Sequence, residues 1–293
     1  MGKKKGLSDE AKWGYILVAP TIIGLIVLNV YPFLQTLVLS FSTTHPFGFY
    51  EISGIGNYTK MFASEEFWKA TWNSIYFCIL TVPLGMFFAL ITAVFLNAKI
   101  AGKTAFRAIY FLPMVVAPAA IAMVWKWIFN AEYGIINQII GTKVNWLTNP
   151  KLVLPATAAV AVWSSVGYDA VLLLSGIQNI SKSYYEAADL DGATKVQQFF
   201  HITLPMVSPT LFVVLIMRLM ASLKVYDLIY MMIGEGNPAL SKSQSLIYLF
   251  YRESFIKGDK GYASAIVIAT VLLIGIITAI QFAGQKKWVN YEV

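Results

Sequence analysis

The stretch that decides the fold is YYEAADLDGATKVQQFFHITLP, residues 184–205. It is polar and charged, and it lies between two long apolar runs. Apolar runs of about 20 residues have the length of a membrane-spanning helix, so this stretch is predicted to be a loop on one membrane face. Its pattern is that of an amphipathic helix that a glycine interrupts, and the question it raises is which surface it contacts.

The composition of the whole chain indicates that lipid is its solvent. Of its 293 residues, 58% are hydrophobic and 13% are charged, whereas a soluble domain carries about 25% charged residues. The net charge of +7 does not require a nucleic acid, because basic residues collect in the cytoplasmic loops of membrane proteins. Cys78 is the one cysteine, and His45 and His201 are far apart, so neither a disulfide framework nor a metal site is predicted.

The chain contains six continuous apolar runs, and we predict an all-α membrane protein with six transmembrane helices. The runs are Tyr15–Phe41, Trp72–Asn97, Phe106–Phe129, Leu152–Gln178, Pro205–Ile233 and Tyr262–Ala283. A transmembrane barrel would need alternating rather than continuous apolar residues. The first run exceeds the roughly 7–15 apolar residues of a signal peptide, so it is predicted to be a retained helix.

Basic residues give the predicted orientation. An even number of spans places both termini on one side, and the positive-inside rule makes that side the cytoplasm. The basic residues concerned are Lys3, Lys4, Lys5, Lys12, Lys99, Lys103, Arg107, Lys286 and Lys287. The expected organisation is a cytoplasmic tail at 1–14, a transmembrane domain at 15–285 with a cytoplasmic loop at 181–205, and a cytoplasmic tail at 286–293.

The quoted stretch is predicted to be two helical pieces. Ser183 and Glu186 fit a capping box, in which the hydroxyl and the carboxylate each satisfy a free backbone amide. Gly192 can take a positive φ or admit another backbone. The second piece is expected to have one apolar side formed by Val196, Phe199, Phe200 and Ile202.

The charge of this loop favours a protein partner. It carries Glu186, Asp189 and Asp191 against Lys182 and Lys195. Helices that lie on membranes favour basic polar faces, and anionic lipid would repel an acidic one. A basic protein groove is therefore the better partner, although an interfacial helix that only caps the bundle remains an alternative.

The same residues resemble the EAA loop of permease subunits of binding-protein-dependent ABC importers. EAADLDGATKVQQFFHITLP matches E-A-A-x-x-D-G-A, the spacing from Gly192 to Ile202, and the terminal x-L-P. The resemblance to the sugar-type branch covers nearly the whole chain. It includes YILVAPTIIGLIVLNVYPFLQTLVLSF, FRAIYFLPMVVAPAAIAMVWKWIFNAEYGIIN, ASLKVYDLIYMMIGEGNP and GYASAIVIATVLL. The long first helix resembles that of the maltose-transporter-F-like half of a heterodimeric pair.

This resemblance implies the type I ABC importer permease fold and a set of partners. They are a second homologous permease, two cytoplasmic ATPase subunits, an extracytoplasmic solute-binding protein and a sugar, at the cytoplasmic membrane of a bacterium or archaeon. The EAA loop would dock in a cleft of an ATPase subunit. The residues at that contact would be Glu186, Ala187, Ala188, Asp191 and Gly192.

No cofactor is expected on this chain, because ATP and Mg would belong to the ATPase subunits. AGKT at 101–104 resembles the end of a phosphate-binding loop, but Asn97 stands where that motif requires its first glycine. The sequence also lacks a Ser-His-Asp, paired-carboxylate or HExxH arrangement. A membrane-embedded enzyme is therefore disfavoured.

Charged residues inside the spans point to a cavity or to ion pairs, because each costs roughly 2.5–3.5 kcal/mol at mid-span. They are Lys126, Asp169, Arg218, Lys224 and Asp227. Lys126 can extend to the interface, and Lys224 and Asp227, three residues apart on one predicted helix, can pair with each other. Prolines recur in the spans, which indicates either ordinary kinks or the bent wall of a cavity.

Aromatic and hydroxyl side chains suggest a path for a sugar. The candidates are Trp163, Ser164, Tyr168, Asp169, Ser222, Tyr226, Tyr230, Asn73 and Trp125. In the maltose-type family the sugar site involves helices that correspond to the fourth and fifth spans, but the residues after Tyr168 depart from the maltose pattern. The expected substrate is an oligosaccharide or sugar derivative. Alternatives are a polyol or sugar phosphate, or an ion-coupled secondary carrier, although no internal repeat typical of such carriers is visible.

Overall fold

The computed structural model describes residues 9–45, 49–98 and 102–291, and every statement below concerns these residues. Most of the predicted tail lysines, Lys3 to Lys5, lie outside them, as does Lys99. The remaining part of the predicted 1–14 tail is helical, because the first helix already begins at Asp9.

The described chain is mostly helical, with one short hairpin that the predicted all-α class did not include. The helices are α1 (Asp9–Leu25), α2 (Tyr31–Ser40), α3 (Gly56–Ala63), α4 (Glu65–Asn97), α5 (Lys103–Val115), α6 (Pro118–Ile128), α7 (Ile135–Ile140), α8 (Val153–Gln178), α9 (Lys182–Leu190), α10 (Lys195–Gln198), α11 (Leu204–Leu223), α12 (Asp227–Met232), α13 (Leu246–Tyr251) and α14 (Lys260–Gln285). Strands β1 (Ser42–Thr44) and β2 (Tyr50–Ile52) pair antiparallel, with Ser42 opposite Ile52. Short π-helical segments occupy Ile26–Val30, Phe199–Thr203 and Arg252–Ile256, and a 3-10 turn occupies Leu240–Lys242.

Five helical stretches of the described chain are long and apolar enough to cross a membrane. They are Lys12–Ser40, Glu65–Asn97, Val153–Gln178, Lys195–Leu223 and Lys260–Gln285. The third predicted span, Phe106–Phe129, is not one helix, because Ala108–Val115 and Pro118–Ile128 meet at a bend of 108°. The bend raises the number of spans to six if the two pieces cross the membrane together.

Proline chemistry explains the break in the third span. Val116 and Ala117 have ψ values of 136° and 135°, which is extended backbone. A residue that precedes proline avoids the helical region, and Ala117 precedes Pro118. Pro118 then starts α6, because its fixed φ and missing N–H suit the first turn of a helix.

The fifth predicted span, Pro205–Ile233, also ends early. Helix α11 stops at Leu223 and α12 starts at Asp227. Ser245 Oγ donates to the carbonyl of Val225 at 2.6 Å, so a carbonyl that the helix no longer uses has a partner. Lys224 consequently lies just past the end of α11, Asp227 is the first residue of α12, and the described residues contain no ion pair between them. The predicted pairing on one helix is wrong for this reason.

The chain divides into two compact units, of which the first comprises Met1–Ala63 and Phe250–Ile268. In this unit the Asn57 amide donates to the carbonyls of Ser40 and Ser42 at 3.1 and 2.9 Å. A Cβ built at Gly261 would lie 2.1 Å from the Ser42 carbonyl oxygen, so glycine is needed where α14 begins.

The second unit comprises Ser64–Leu249 and Ala269–Val293. One of its core clusters is formed by α4, α8 and α11, and three of its ten buried members are alanines. The buried residues are Ala89, Ala93, Leu96, Ala170, Leu173, Leu174, Ile177, Val207, Leu211 and Val214. Small residues let membrane helices approach closely. Gly167 is the extreme case, since a Cβ there would lie 1.9 Å from the carbonyl oxygen of Tyr110 on α5.

A buried ion pair joins α8 to α11 inside the second unit. Arg218 Nε lies 3.0 Å from Asp169 Oδ2, and the two side chains are only 11% and 3% exposed. These two atoms are not aligned for a hydrogen bond, so charge attraction dominates the contact. A Cβ at Gly85 of α4 would lie 2.7 Å from Arg218 Nη2, which shows that this glycine leaves the space that the guanidinium fills.

We predict that Gly167→Ala destabilises the protein, because the new methyl group would overlap the backbone of α5. Overpacking of this kind costs about 1–3 kcal/mol. The measurement is the thermal unfolding midpoint of the purified chain in detergent. Gly275→Ala is the control, because nothing lies within 4 Å of a Cβ at that position of α14. An equal midpoint in both variants would contradict the close approach of α5 and α8.

We also predict that Asp169→Asn is more damaging than removal of the whole ion pair. The single change leaves the Arg218 charge buried, at a cost of about 3–5 kcal/mol, whereas replacing both charges by apolar groups is often neutral. The comparison is the unfolding midpoint of Asp169→Asn against that of the double variant Asp169→Leu/Arg218→Met. A double variant at least as unstable as the single one would rule out this account.

Candidate functional site

A cavity of about 350 Å³, here called the central cavity, lies within the second unit. Residues from both helix breaks surround it. Its lining comprises Phe77, Thr81, Pro113, Met114, Val116, Pro118, Ile121, Ala161, Ser164, Ser165, Arg218, Ala221, Ser222, Lys224, Val225, Tyr226, Asp227 and Leu228. Non-helical backbone at membrane depth is tolerated where it is buried in protein or lines a water-filled cavity. Both helix breaks therefore lie beside a cavity, where a membrane protein tolerates non-helical backbone.

Hydroxyl groups in the central cavity are poised to accept hydrogen bonds. Ser164 Oγ donates to the Val160 carbonyl at 2.9 Å, and Ser165 Oγ donates to that of Ala161 at 2.8 Å. Because each proton is used within the helix, the oxygen lone pairs remain available. A polyhydroxylated solute could donate to them.

A second hydroxyl pair crosses from α4 to α11. Thr81 Oγ1 donates to the Phe77 carbonyl at 2.8 Å and lies 2.7 Å from Ser222 Oγ. With the Thr81 proton engaged, Ser222 is the donor between the two hydroxyls. Thr81 and Ser165 were not among the sequence candidates. Ser165 is next to the candidate Ser164 in the sequence, whereas Thr81 is eight residues from the nearest candidate, Asn73, and only the folded structure brings it to Ser222.

Phe77 and Tyr226 are the aromatic residues that line the central cavity, and other tyrosines pack against Tyr226. Tyr226 lines the cavity and stacks on Tyr230 with ring centres 5.3 Å apart. Tyr248, which is fully buried, lies 6.2 Å from Tyr226. Tyr230 packs against a core cluster, so its place is behind the cavity wall.

The structure therefore places Ser164, Ser222 and Tyr226 together at the central cavity. Asp169 is next to it through its ion pair with Arg218, which lines the cavity. The remaining candidates do not line it.

Those remaining candidates have other surroundings. Trp125 and Trp163 pack edge to face at 5.4 Å, and Tyr168 is partly exposed elsewhere on α8. Asn73 is buried, and its amide donates to the carbonyls of Ser241 and Gln244 at 3.2 and 3.1 Å. Its donors are thus used within the fold.

The loop at 181–205 is a helix, a turn and a second helix. Helix α9 begins two residues earlier than predicted, because Ser181 rather than Ser183 is its cap and accepts the Ser183 amide at 3.4 Å. The proposed box of Ser183 with Glu186 is therefore wrong. The predicted positive φ of Gly192 is confirmed at +75°. The Ala193 amide donates to the Ala188 carbonyl at 2.9 Å, which completes a Schellman end.

The two halves of this loop are tied together by polar contacts. Lys195 Nζ donates to Asp189 Oδ1 at 2.9 Å, and buried Gln198 donates to the same carboxylate. These hydrogen bonds, that of Lys195 foremost, hold the pKa of Asp189 below its ordinary value. The Tyr185 and Thr203 hydroxyls lie 2.9 Å apart. The sequence did not predict this network.

A capping box is present further along the loop. The Thr194 hydroxyl accepts the Gln197 amide at 3.3 Å, and the Gln197 side chain accepts the Thr194 amide at 2.8 Å. The spacing of threonine and glutamine fits the same motif that had been assigned to Ser183. Thr194 thus starts the second helix.

The apolar side chains of the loop are exposed. Leu190 is 90% exposed, Val196 66% and Phe200 57%. The sequence predicted that Val196, Phe199, Phe200 and Ile202 share one apolar side. This is only partly confirmed, because Val196 and Phe200 are exposed whereas Phe199 and Ile202 are half-buried. The π-helical segment Phe199–Thr203 explains the split, since it changes the rotation per residue.

The five candidate coupling residues lie on this loop. Glu186, Ala187, Asp191 and Gly192 are exposed, and Ala188 is half-buried. Neither Glu186 nor Asp191 forms an ion pair within the part of the chain that the structure describes. The loop thus presents acidic and apolar groups side by side.

Comparison with known proteins adds to this geometry. Residues 81–289 match the family described as the binding-protein-dependent transport system inner membrane component. The trehalose/maltose transport system permease protein MalF of Thermococcus litoralis is 34% identical over 275 residues, which cover 90% of each chain. The sulfoquinovosyl glycerol transport system permease protein SmoG of Agrobacterium fabrum is 33% identical over 272 residues, which cover 90% of this chain and 87% of that protein.

A solved structure shows the same fold. It is a chain of the bacterial alginate ABC transporter in complex with alginate pentasaccharide-bound periplasmic protein. The TM-score is 0.86 at 23% identity, with 97% of this chain and 98% of that chain covered. On these grounds the chain has the fold of an ABC importer permease and belongs to the family of binding-protein-dependent transport system inner membrane components.

Proposed function

We propose that this chain is the transmembrane permease subunit of an ATP-driven importer that translocates a carbohydrate, either an oligosaccharide or a sugar derivative. The observation that supports it is the central cavity of this chain, which is a member of the permease family. Ser164, Ser222 and Tyr226 line the cavity, together with residues of the two helix breaks. Relatives that are named for trehalose/maltose and sulfoquinovosyl glycerol transport favour the same substrate class.

The chemistry of the central cavity suits a sugar. Hydroxyl oxygens of Ser164 and Ser165 accept from the O–H groups of the solute, and the ring of Tyr226 offers an apolar face to its C–H groups. Arg218, Lys224 and Asp227 also line the cavity, so charged groups are within reach of a substituent. Such a site binds a polar solute through a few placed groups and one aromatic face.

A second candidate substrate is a sugar phosphate or a polyol. Lys224 lines the central cavity and forms no ion pair among the described residues, so it could accept an anionic substituent. The ion-coupled carrier is set aside, because the family match assigns the chain to a binding-protein-dependent system.

Coupling to ATP hydrolysis is assigned to the loop at 181–205. Its exposed Leu190, Val196 and Phe200 would be buried in a groove of an ATPase subunit, and Glu186 and Asp191 would face basic residues there. The contacts of Asp189 with Lys195 and Gln198 make the two helices move as one piece. Motion of the ATPase would then reach α11, which follows the loop directly.

The assembly and orientation complete the proposal. The partners are a second homologous permease, two ATPase subunits that bind ATP and Mg, and an extracytoplasmic solute-binding protein. Both termini and the 181–205 loop face the cytoplasm, and the site of action is the cytoplasmic membrane of a bacterium or archaeon. The basic loops of the sequence and the positive-inside rule support this orientation.

The substrate assignment predicts that Ser164→Ala weakens transport while Ser175→Ala on the same helix does not. Loss of one hydrogen bond of about 0.5–1.5 kcal/mol should raise the sugar concentration for half-maximal uptake roughly two- to tenfold. Uptake by the complete transporter in proteoliposomes measures this, with the sugar bound by the cognate binding protein. Ser175 does not line the central cavity, and equal uptake by the two variants would remove Ser164 from the path.

The coupling assignment predicts that Gly192→Ala impairs uptake and binding-protein-stimulated ATPase activity. A non-glycine residue at positive φ costs roughly 1–2 kcal/mol, which would distort the turn that presents Leu190. Gly141→Ala is the matched control, because Gly141 also ends a helix with φ +71° and open space around it. Leu190→Ala should weaken retention of the ATPase subunits by about tenfold. Normal coupling in both Gly192→Ala and Leu190→Ala would contradict docking at this loop.

A further inference from the structure

A second cavity, here called the basic–aromatic cavity, lies in the same unit but shares no lining residue with the central cavity. Its volume is about 580 Å³. The first turns of α4, the start of α8 and the 3-10 turn at Leu240–Lys242 form its walls. The lining residues are Glu65, Trp68, Lys69, Trp72, Asn73, Tyr76, Pro150, Lys151, Leu154, Pro155, Ser241 and Lys242.

The charges of this cavity do not balance. Lys69 Nζ is paired with Glu65 Oε1 at 2.7 Å, and Lys242 also attracts this carboxylate from a longer distance. The ammonium groups of Lys151 and Lys242 have no ion pair within the described parts of the chain, and both side chains are exposed. The lining contains three lysines and one glutamate, so the cavity carries two net positive charges. Such a site attracts an anion.

The position of the cavity along α4 sets its depth in the membrane. Trp68 and Trp72 are 52% and 62% exposed, and their spacing of four residues places them on one helix face. They stand where the charged first turn of α4 passes into its apolar run. Tryptophan concentrates at the level of the lipid headgroups, so the cavity lies at that level, and in the proposed orientation it faces the extracytoplasmic leaflet.

The walls of the basic–aromatic cavity are held in place by buried hydrogen bonds. Besides the two bonds of Asn73 to the 241–244 segment, Ser74 Oγ accepts the Leu246 amide at 2.9 Å. This fixes the segment that carries Lys242 against α4. On the other wall, an exposed hydrogen bond from the Lys151 amide to Asn149 Oδ1 at 2.9 Å shapes the turn that precedes α8.

We propose that the basic–aromatic cavity binds the phosphate headgroup of an anionic phospholipid. Lys151 and Lys242 bind the phosphate, and the exposed faces of Trp68 and Trp72 contact the glycerol and the first acyl methylenes. Each lysine near an anionic lipid contributes about 1 kcal/mol, which corresponds to roughly fivefold in affinity. This site goes beyond the proposed transport function and does not depend on the identity of the solute.

The test is lipid binding to the complete transporter purified in detergent. Native mass spectrometry would measure how much phosphatidylglycerol and phosphatidylcholine the complex retains across a lipid titration. We expect phosphatidylglycerol to bind more tightly than phosphatidylcholine. The preference should fall roughly fivefold in each of Lys151→Gln and Lys242→Gln, and roughly 25-fold in the double variant if the two effects add. Lys143→Gln is the control, because that exposed lysine is paired with Glu132 and does not line the cavity.

Several outcomes would overturn the proposal. An unchanged preference for phosphatidylglycerol in the double variant would show that the lysines do not bind it, and the single variants decide the matter if the double variant does not assemble. Displacement of phosphatidylglycerol by millimolar inorganic phosphate would assign the site to a free anion. A cysteine placed by Lys242→Cys that stays unreactive to a maleimide in the lipid-free complex would show that a partner subunit covers the cavity.

Discussion

Every backbone N–H and C=O group inside a membrane must find a partner within the protein or in a water-filled cavity, because hydrocarbon offers none. Most of the described spans meet this constraint as uninterrupted helices. Two do not: the chain is extended at Val116–Ala117 and leaves the helix again between Leu223 and Asp227. Both interruptions line the central cavity. Because both helix breaks lie at the same cavity, their free backbone groups and the cavity depend on each other.

The polar groups around that cavity show how the fold accommodates them. Asp169 and Arg218 are buried beside each other, which limits the cost that either charge would have alone in a membrane. Gly85 provides the space for the guanidinium. The Thr81 hydroxyl donates to the Phe77 carbonyl and accepts from Ser222. The charges of Asp169 and Arg218 are thus paired beside the cavity, and the hydroxyl oxygens of Ser164 and Ser165 remain available as acceptors.

The loop at 181–205 obeys a different constraint, because it is polar on one part of its surface and apolar on another. Internal contacts of Asp189, Lys195 and Gln198 fix its shape, while Leu190 and Phe200 stay exposed. A rigid element with exposed apolar groups is suited to docking. The π-helical segment Phe199–Thr203 then joins this element to α11 and rotates its side chains relative to a regular helix.

The sequence by itself determined the membrane class, most of the spans, the two-helix loop and the positive φ of Gly192, since each depends on local composition or on a single residue's conformational freedom. It also suggested Ser164, Ser222 and Tyr226, because aromatic faces and hydroxyl groups are side chains that can bind a sugar. Only the tertiary structure decided that Phe106–Phe129 is bent and that Pro205–Ile233 ends at Leu223. The prolines in these runs left ordinary kinks and a bent cavity wall as alternatives, because a proline disturbs a helix without setting the angle of the bend. It also decided that Arg218 reaches Asp169 and that Asn73 holds the 241–244 segment, because these contacts join residues far apart in sequence, and their distances depend on how the helices pack.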